Sequence, residues 1–90
     1  MVYVDTPRVI FFRGRERLTA HCTADSLDEL HAFAERIGAP RRLFEDKPGK
    51  PHYDLFDELI ERARQTDALF VEKKVFISVL YLRYRKESAV

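Results

Sequence analysis

Cysteine is nearly absent from this 90-residue sequence, and the single thiol, Cys22, cannot form an internal disulfide. A chain without disulfides is typical of a reducing compartment, so we expect a cytoplasmic protein. The longest apolar run, residues 75–82, is interrupted by Ser78 and is far shorter than the ~20 residues that a membrane-spanning helix needs. Charged residues from Asp5 onward break up the apolar N-terminus, which lacks a signal-peptide pattern. We therefore expect no membrane partner.

An excess of one charge sign is also lacking, since 16 Lys and Arg against 15 Asp and Glu leave a net charge of +1. Such a balance argues against a dedicated nucleic-acid binder or a strong membrane-surface binder. Local basic patches still leave a nucleic-acid partner as an open alternative. The 3 glycines do not form a phosphate-binding loop, and no serine nucleophile motif is present. With 46% hydrophobic and 34% charged residues, the composition is typical of a single globular domain, residues 1–90.

The best-defined element is a helix that begins after Ser26. Ser26 and Glu29 match a capping box, and Gly38 is a typical residue for the end of a helix. The apolar positions recur at helical spacing, at Leu27, Leu30, Phe33, Ala34 and Ile37. His31 lies at the edge of this apolar stripe. The sequence therefore predicts a helix from residue 26 to residue 37 with His31 near its polar boundary.

Several shorter runs predict strands. Residues 2–4 are β-type, residues 9–12 fit a hairpin arm or a loop equally well, and residues 18–24 alternate, with His21 on the more polar side. Asp54 is a good N-cap for a second helix over residues 55–65, and residues 68–71 form a candidate buried strand. Residues 73–86 fit both periods, and we favour a helix. This order predicts an α/β fold, a small sandwich whose partly parallel sheet has three or four strands and two or three helices.

Two histidine-bearing motifs give the sequence a family likeness. In order along the chain stand Val2-Tyr3-Val4-Asp5, Arg13-Gly14, His21, Ala24-Asp25-Ser26, Glu29-Leu30-His31-Ala32-Phe33, Ile37-Gly38, Arg42 with Phe44, and His52-Tyr53-Asp54-Leu55. This series, over residues 1–72, resembles the domain-of-unknown-function family DUF 4031. Its members are short proteins of bacteriophages and bacteria, some beside HD-type phosphohydrolase domains. The resemblance implies no established activity, catalytic residue or cofactor.

The sequence departs from the family pattern in its second half. The family usually has a Lys or Arg early in the second helix and a Gly-Ala pair after it, where this chain has Leu59-Ile60 and Asp67-Ala68. If that basic residue binds an anion, Arg62 or Arg64 must replace it here. Residues 73–90 lie outside the likeness and form a C-terminal helix or strand extension.

Five residues in the matched motifs are candidate catalytic groups, namely His21, His31, His52, Tyr53 and Asp54. Strand and helix ends gather at one edge of an α/β sheet, so we expect the three imidazoles to share a pocket. They could bind a divalent metal ion, with Asp5, Asp25 or Asp54 completing the shell and a metal-bound water attacking a phosphoester. The alternative is a hydrogen-bonded structural network, because no strong metal signature such as H-E-x-x-H is present.

Arg13, Arg41 and Arg42 are candidate ligand-binding residues, since guanidinium groups match phosphate geometry, and Asp25 is a further candidate for ligand binding. The alternative is ordinary surface charge. Two functions remain open at this point. One is a domain that binds a small phosphate-containing ligand or nucleotide, with or without metal-assisted hydrolysis. The other is a non-catalytic phage accessory protein that binds a host factor or forms a homodimer through residues 75–84.

Overall fold

The computed structural model describes residues 1–84, which form a six-stranded mixed sheet with helices on both faces. The strands are β1 (Val2–Asp5), β2 (Arg8–Phe12), β3 (Arg15–Ala24), β4 (Phe44–Glu45), β5 (His52–Phe56) and β6 (Leu69–Val71). The helices are α1 (Leu27–Ile37), α2 (Glu58–Arg64) and α3 (Lys73–Arg83), with a 3₁₀ turn at Arg41–Leu43. In this part of the chain no helix is long and apolar enough to cross a membrane.

The strand order is β4-β5-β3-β1-β6, with β2 also paired to β3. Only the β1–β6 pair is parallel among the described strands. The α/β class and the partly parallel sheet are confirmed, but the sheet has more strands than the three or four expected. The additional strands, β2 and β4 among them, are short or exposed and so give weak sequence signals.

The long strand β3 is the centre of the sheet because it pairs with β1, β2 and β5. Its alternation is as expected: Ala20, Cys22 and Ala24 are buried in the main core. That core also contains side chains of α1 and α2, namely Leu30, Phe33, Ala34, Ile37, Ile60 and Ala63. The opposite face of β3 carries His21, and α3 covers this face, since the ring of Phe76 lies 6.2 Å from the His21 ring.

Helix α1 is confirmed with both of its ends. The Ser26 hydroxyl accepts a hydrogen bond from the Glu29 amide (3.2 Å), and Gly38 ends the helix in the left-handed conformation at φ 82°. The Glu29 carboxylate binds the N-terminal ammonium at 2.6 Å. The first residue of the chain is therefore tied to the start of α1.

Residues 9–12 form a hairpin arm, one of the two structures that the sequence left open. The β2–β3 hairpin has a two-residue loop at Arg13 and Gly14, whose φ angles of 54° and 76° are both positive. Such a loop matches the right-handed twist of the flanking strands.

The prediction that Asp54 caps the second helix is wrong. Asp54 lies inside β5, opposite His21, and α2 begins only at Glu58. Residues 52–56 alternate between buried and part-exposed positions, as an antiparallel strand requires, and this pairing with β3 overrides the local capping signal. The predicted buried strand at residues 68–71 is an edge strand, and its Leu69 is 42% exposed.

The ambiguous C-terminal segment is a helix, as favoured from the sequence; residues 85 and 86 of the predicted range lie outside the described residues. Phe76 and Leu80 are its buried side chains. At its end, Arg83 Nε donates to Asp25 at 2.9 Å and the Tyr84 hydroxyl donates to the Ala24 carbonyl. These bonds hold the end of α3 against the end of β3.

Candidate functional site

Strand alternation places the predicted site residues on two different faces of the sheet. His21 on β3 pairs with Asp54 on β5, and His52 stands two residues before Asp54, so these three side chains share the face under α3. Tyr53 lies between them and points to the opposite face, where its hydroxyl is 2.7 Å from His31 Nδ1. The expectation that all three imidazoles share one pocket is therefore corrected: two converge, and His31 does not join them.

A break in the sheet explains the position of Asp5, the buried carboxylate of this site. Pairing of β1 with β3 ends at Cys22 and pairing of β2 with β3 begins at Thr19, so the amide of His21 lies opposite the break. The Asp5 carboxylate accepts this amide at 2.7 Å, and its second oxygen lies 2.8 Å from His21 Nδ1. Asp5 thus replaces a missing backbone acceptor and fixes the imidazole ring at the same time.

The protonation state of Asp5 follows from these contacts. Burial by itself raises the pKa of a carboxyl group, and Asp5 is only 6% exposed. The hydrogen bonds from the ring and the amide of His21 outweigh that burial, so the net effect is a lowered pKa. Asp5 is therefore an anion at neutral pH, and His21 Nδ1 is the donor in their hydrogen bond.

The two imidazoles meet at Asp54. His21 Nε2 lies 3.6 Å and His52 Nε2 lies 3.4 Å from the same oxygen, Asp54 Oδ1. The three potential ligand atoms all lie within 4.8 Å of one another. The rings are almost perpendicular, at 84°, with centroids 5.0 Å apart. This arrangement directs two ring nitrogens and one carboxylate at a common point.

The other nitrogen of each ring is already engaged. His21 Nδ1 donates to Asp5, and His52 Nδ1 lies 2.7 Å from the Lys50 carbonyl, which can only accept. Both rings therefore carry their proton on Nδ1 when neutral and direct the lone pair of Nε2 toward Asp54. Histidine ligands of metal ions have this second-shell arrangement, with the non-ligating N–H held by a carboxylate or a carbonyl.

A cavity of about 360 Å³ lies beside these groups, between the sheet and α3. Asp5, His21 and His52 line one part of it, and Lys50 and Lys73 also border it. Sequence reasoning missed both lysines and the neighbouring Phe76 as site residues. The only sequence signal for Lys50 was its position in the charged loop before His52. Lys73 and Phe76 gave no local signal, because α3 reaches the site only by packing across the sheet.

The arginines predicted to bind ligand do not surround this cavity. Arg13 lies in the hairpin loop, with its guanidinium 5.5 Å from the centre of the Phe12 ring. Arg42 borders a different cavity, between the β2–β3 hairpin and α2. Arg41 precedes it in the 3₁₀ turn, and its positive charge acts on His31.

The other residues that the sequence suggested for ligand binding, Asp25, Arg62 and Arg64, have partners within the fold. Asp25 binds the N-terminal ammonium at 3.2 Å, the Tyr3 hydroxyl and Arg83. Arg62 donates to the Ile37 carbonyl at 3.1 Å, and Arg64 lies over the Phe70 ring. These contacts link helix and strand ends, and none of these three residues lines the cavity beside His21.

Comparison with known proteins gives one match. The profile of the family described as "Protein of unknown function (DUF4031)" matches residues 2–83. The chain belongs to this family. The match includes α3, which the motif likeness over residues 1–72 left out, and thus covers both walls of the cavity. No curated protein and no solved structure matches the chain.

Proposed function

We propose that this DUF4031 chain binds one divalent transition-metal ion through His21 Nε2, His52 Nε2 and the Asp54 carboxylate. The observation that supports this proposal is the spacing of the ligand atoms. With metal–ligand bonds of about 2.1 Å, neighbouring ligands of one ion lie roughly 3.0–3.4 Å apart. The His52 Nε2–Asp54 Oδ1 distance of 3.4 Å lies at the upper end of that range, and the His21 Nε2–Asp54 Oδ1 distance of 3.6 Å needs only a small contraction to reach it.

The same distances argue against a purely structural network. An N–H···O hydrogen bond has a length of about 2.7–3.2 Å, which both contacts to Asp54 exceed. By contrast, the contacts that orient the rings, from Nδ1 to Asp5 and to the Lys50 carbonyl, are 2.8 and 2.7 Å long. The hydrogen bonds at Nδ1 thus fix the orientation of both rings, while the longer distances between Nε2 and Asp54 leave room for an ion.

The proposed role of the ion is to bind the phosphate group of a small ligand. Two imidazoles and one carboxylate suit Zn²⁺, Mn²⁺, Fe²⁺ or Co²⁺ and leave coordination positions open. An ion in such a site lowers the pKa of a bound water and can thereby supply a nucleophile for phosphoester hydrolysis. Lys50 and Lys73, which border the adjacent cavity, favour an anionic ligand over a neutral one.

Metal titration of the chelator-treated protein tests the proposal. We expect one equivalent of Zn²⁺ or Co²⁺ to bind by calorimetry, with Co²⁺ giving visible d–d absorption. His52→Gln should weaken binding by at least about 100-fold, because even second-shell changes cost 10- to 100-fold. His31→Gln is the matched control, since it removes a histidine from the opposite face. Equal effects of the two substitutions would place the metal elsewhere and overturn the assignment.

Turnover is tested separately with the metal-loaded protein and p-nitrophenyl phosphate. Hydrolysis that disappears in Asp54→Asn supports a phosphoesterase. Tight metal binding without hydrolysis in the unmodified chain would limit the function to ligand binding.

A second candidate function is self-association through α3, supported by its exposed apolar side chains. Val75 is 42% and Leu82 is 61% exposed, and the two stand two helical turns apart on one side of the helix. Neither of them lines the cavity, whose wall is formed by other positions of α3. A second copy of the chain could therefore cover them without closing the metal site.

A further inference from the structure

The cavity next to the proposed metal ligands has the size of a small-molecule site. Its volume of about 360 Å³ falls in the range of ligand pockets, roughly 300–1,000 Å³. One part is bordered by Asp5, His21 and His52, and the rest by the loop at Gly49 and Lys50 and by α3. A bound molecule would lie between the histidines of the sheet and the side chains of α3.

The two lysines on the border of the cavity make it suited to an anion. Lys50 and Lys73 border the cavity, and neither ammonium has an ion-pair partner among residues 1–84. Lys74, the neighbour of Lys73, does not border the cavity and lies 3.9 Å from Glu72. Two lysines without an ion-pair partner among residues 1–84, on the border of a cavity that adjoins the proposed ion, would attract a doubly charged oxyanion such as a phosphate group.

Beyond Lys73, the α3 side of the cavity is apolar. This wall consists of four side chains, Phe76, Ile77, Leu80 and Tyr81. Ile77 lines the cavity and is 53% exposed. Phe76 is close to the metal-binding end, with its ring 6.2 Å from that of His21. Covering such a wall with the apolar part of a ligand is favourable by roughly 25 cal/mol per Å².

We infer that the cavity binds a phosphate monoester with an apolar or aromatic body, such as a nucleoside monophosphate. The phosphate lies between the ion and the two lysines, and the body lies against Phe76 and Ile77. This assignment rests on the proposed metal site, which supplies the countercharge for the phosphate. Inorganic phosphate would satisfy the charged end but leave the apolar wall in contact with water.

The test compares thymidine monophosphate, thymidine and inorganic phosphate as probes of the Zn²⁺-loaded full chain by calorimetry. We expect the monophosphate to bind at least about tenfold more tightly than inorganic phosphate, since apolar contact adds to the charge interaction. Thymidine should bind weakly because the charge interaction is missing. Removal of zinc should weaken binding of the monophosphate.

Two matched pairs of variants locate the contacts. Lys73→Met should weaken binding of the monophosphate about tenfold, whereas Lys74→Met should leave it unchanged. Ile77→Ala should weaken it about fivefold, whereas Leu82→Ala, on an exposed position outside the cavity, should not. Circular dichroism and zinc stoichiometry of each variant separate a local loss of contact from unfolding.

The outcomes distinguish this inference from the function on which it rests. If zinc binds as proposed but thymidine monophosphate and inorganic phosphate bind equally well, the inference is overturned and the metal site stands. If zinc does not bind at the three ligands, both are overturned. Equal losses in Lys73→Met and Lys74→Met would also overturn the placement of the phosphate.

Discussion

At the residue scale, the hydrogen-bond partner of each histidine determines whether its ring belongs to the candidate metal site or to the packing of the fold. The Asp5 carboxylate accepts hydrogen bonds from both the amide and the ring of His21. One side chain therefore satisfies the backbone N–H at the break in the sheet and orients the imidazole. His31 instead contacts the hydroxyl of Tyr53, a side chain only 1% exposed. His31 is therefore part of the packing of α1 on the sheet. Because its ring is held in that packing, we expect the stability of the fold to depend on pH through His31.

Stability should decrease on acidification because of His31. Burial, first, and the positive charge of Arg41, second, lower the pKa of His31 below 6.5, and they outweigh Asp28 and Asp46, which raise it. The unfolded chain therefore takes up a proton at a higher pH than the folded chain does. The contribution of His31 is fully present above pH 6.5 and is lost as the pH falls through 6.5 toward the lowered value.

The measurement is the melting temperature between pH 7.5 and pH 5, with His31→Gln as the comparison. Glutamine does not titrate and retains an acceptor for the Tyr53 hydroxyl, so its melting temperature should decrease less over this range. Parallel pH profiles would show that His31 is not responsible.

At the element scale, the ends of α1 are determined by local chemistry, whereas the start of α2 is not. Ser26 and Gly38 act where the sequence predicts. Asp57 precedes α2 with a positive φ of 44°, and its carboxylate bonds to Arg17 and to the amide of Leu18 in β3. The second helix therefore begins where β5 stops pairing with β3, and not at the best local cap.

Substitution of Gly38 by alanine should destabilise the protein more than the same change at Gly14. Both glycines have positive φ, at 82° and 76°, which costs an alanine about 1–2 kcal/mol. A Cβ at Gly14 meets nothing within 4 Å, whereas one at Gly38 would lie 2.9 Å from Arg62 Nη1. Displacing Arg62 breaks its bond to the Ile37 carbonyl, a further loss of about 1 kcal/mol.

Urea denaturation of the two variants gives this comparison directly. We expect the free energy of unfolding to be about 1 kcal/mol lower in Gly38→Ala than in Gly14→Ala. An equal loss in both would mean that Arg62 contributes nothing at the end of α1.

At the scale of the whole molecule, α3 has two different sides. Phe76 and Leu80 pack onto the His21 face of the sheet, and Ile77 borders the cavity. Val75 and Leu82 are exposed on another side. Because apolar side chains of α3 are thus exposed on a side that does not pack onto the sheet, a second copy of the chain is the occupant that we propose for that side.

Light scattering after size exclusion tests self-association. If two copies associate through α3, the unmodified chain has twice its monomer mass of 10.6 kDa, and the double variant Val75→Glu with Leu82→Glu has the monomer mass. Lys74→Glu is the control, because it adds negative charge to α3 outside that side. A monomer mass for the unmodified chain at high concentration would remove the support for this second candidate.

Local sequence determined α1 with its caps and the β3 alternation that separates His21 from Cys22, because each depends on the spacing of side chains a few residues apart. For the β2 hairpin arm and for α3 the local pattern allowed two structures, and the tertiary packing selected one of them. The motif likeness to the DUF4031 family likewise needs no coordinates, and the match over residues 2–83 confirms it.

Only the tertiary structure decided which of these residues meet. His31 and His52 are both motif histidines, yet the sheet lies between them, because Tyr53 and Asp54 on adjacent positions point to opposite faces. Asp5 and Lys73 are 68 positions apart in the sequence and border one cavity, because β6 pairs with β1 and α3 then folds back over the sheet. Such contacts depend on strand pairing over long distances, which local spacing does not encode.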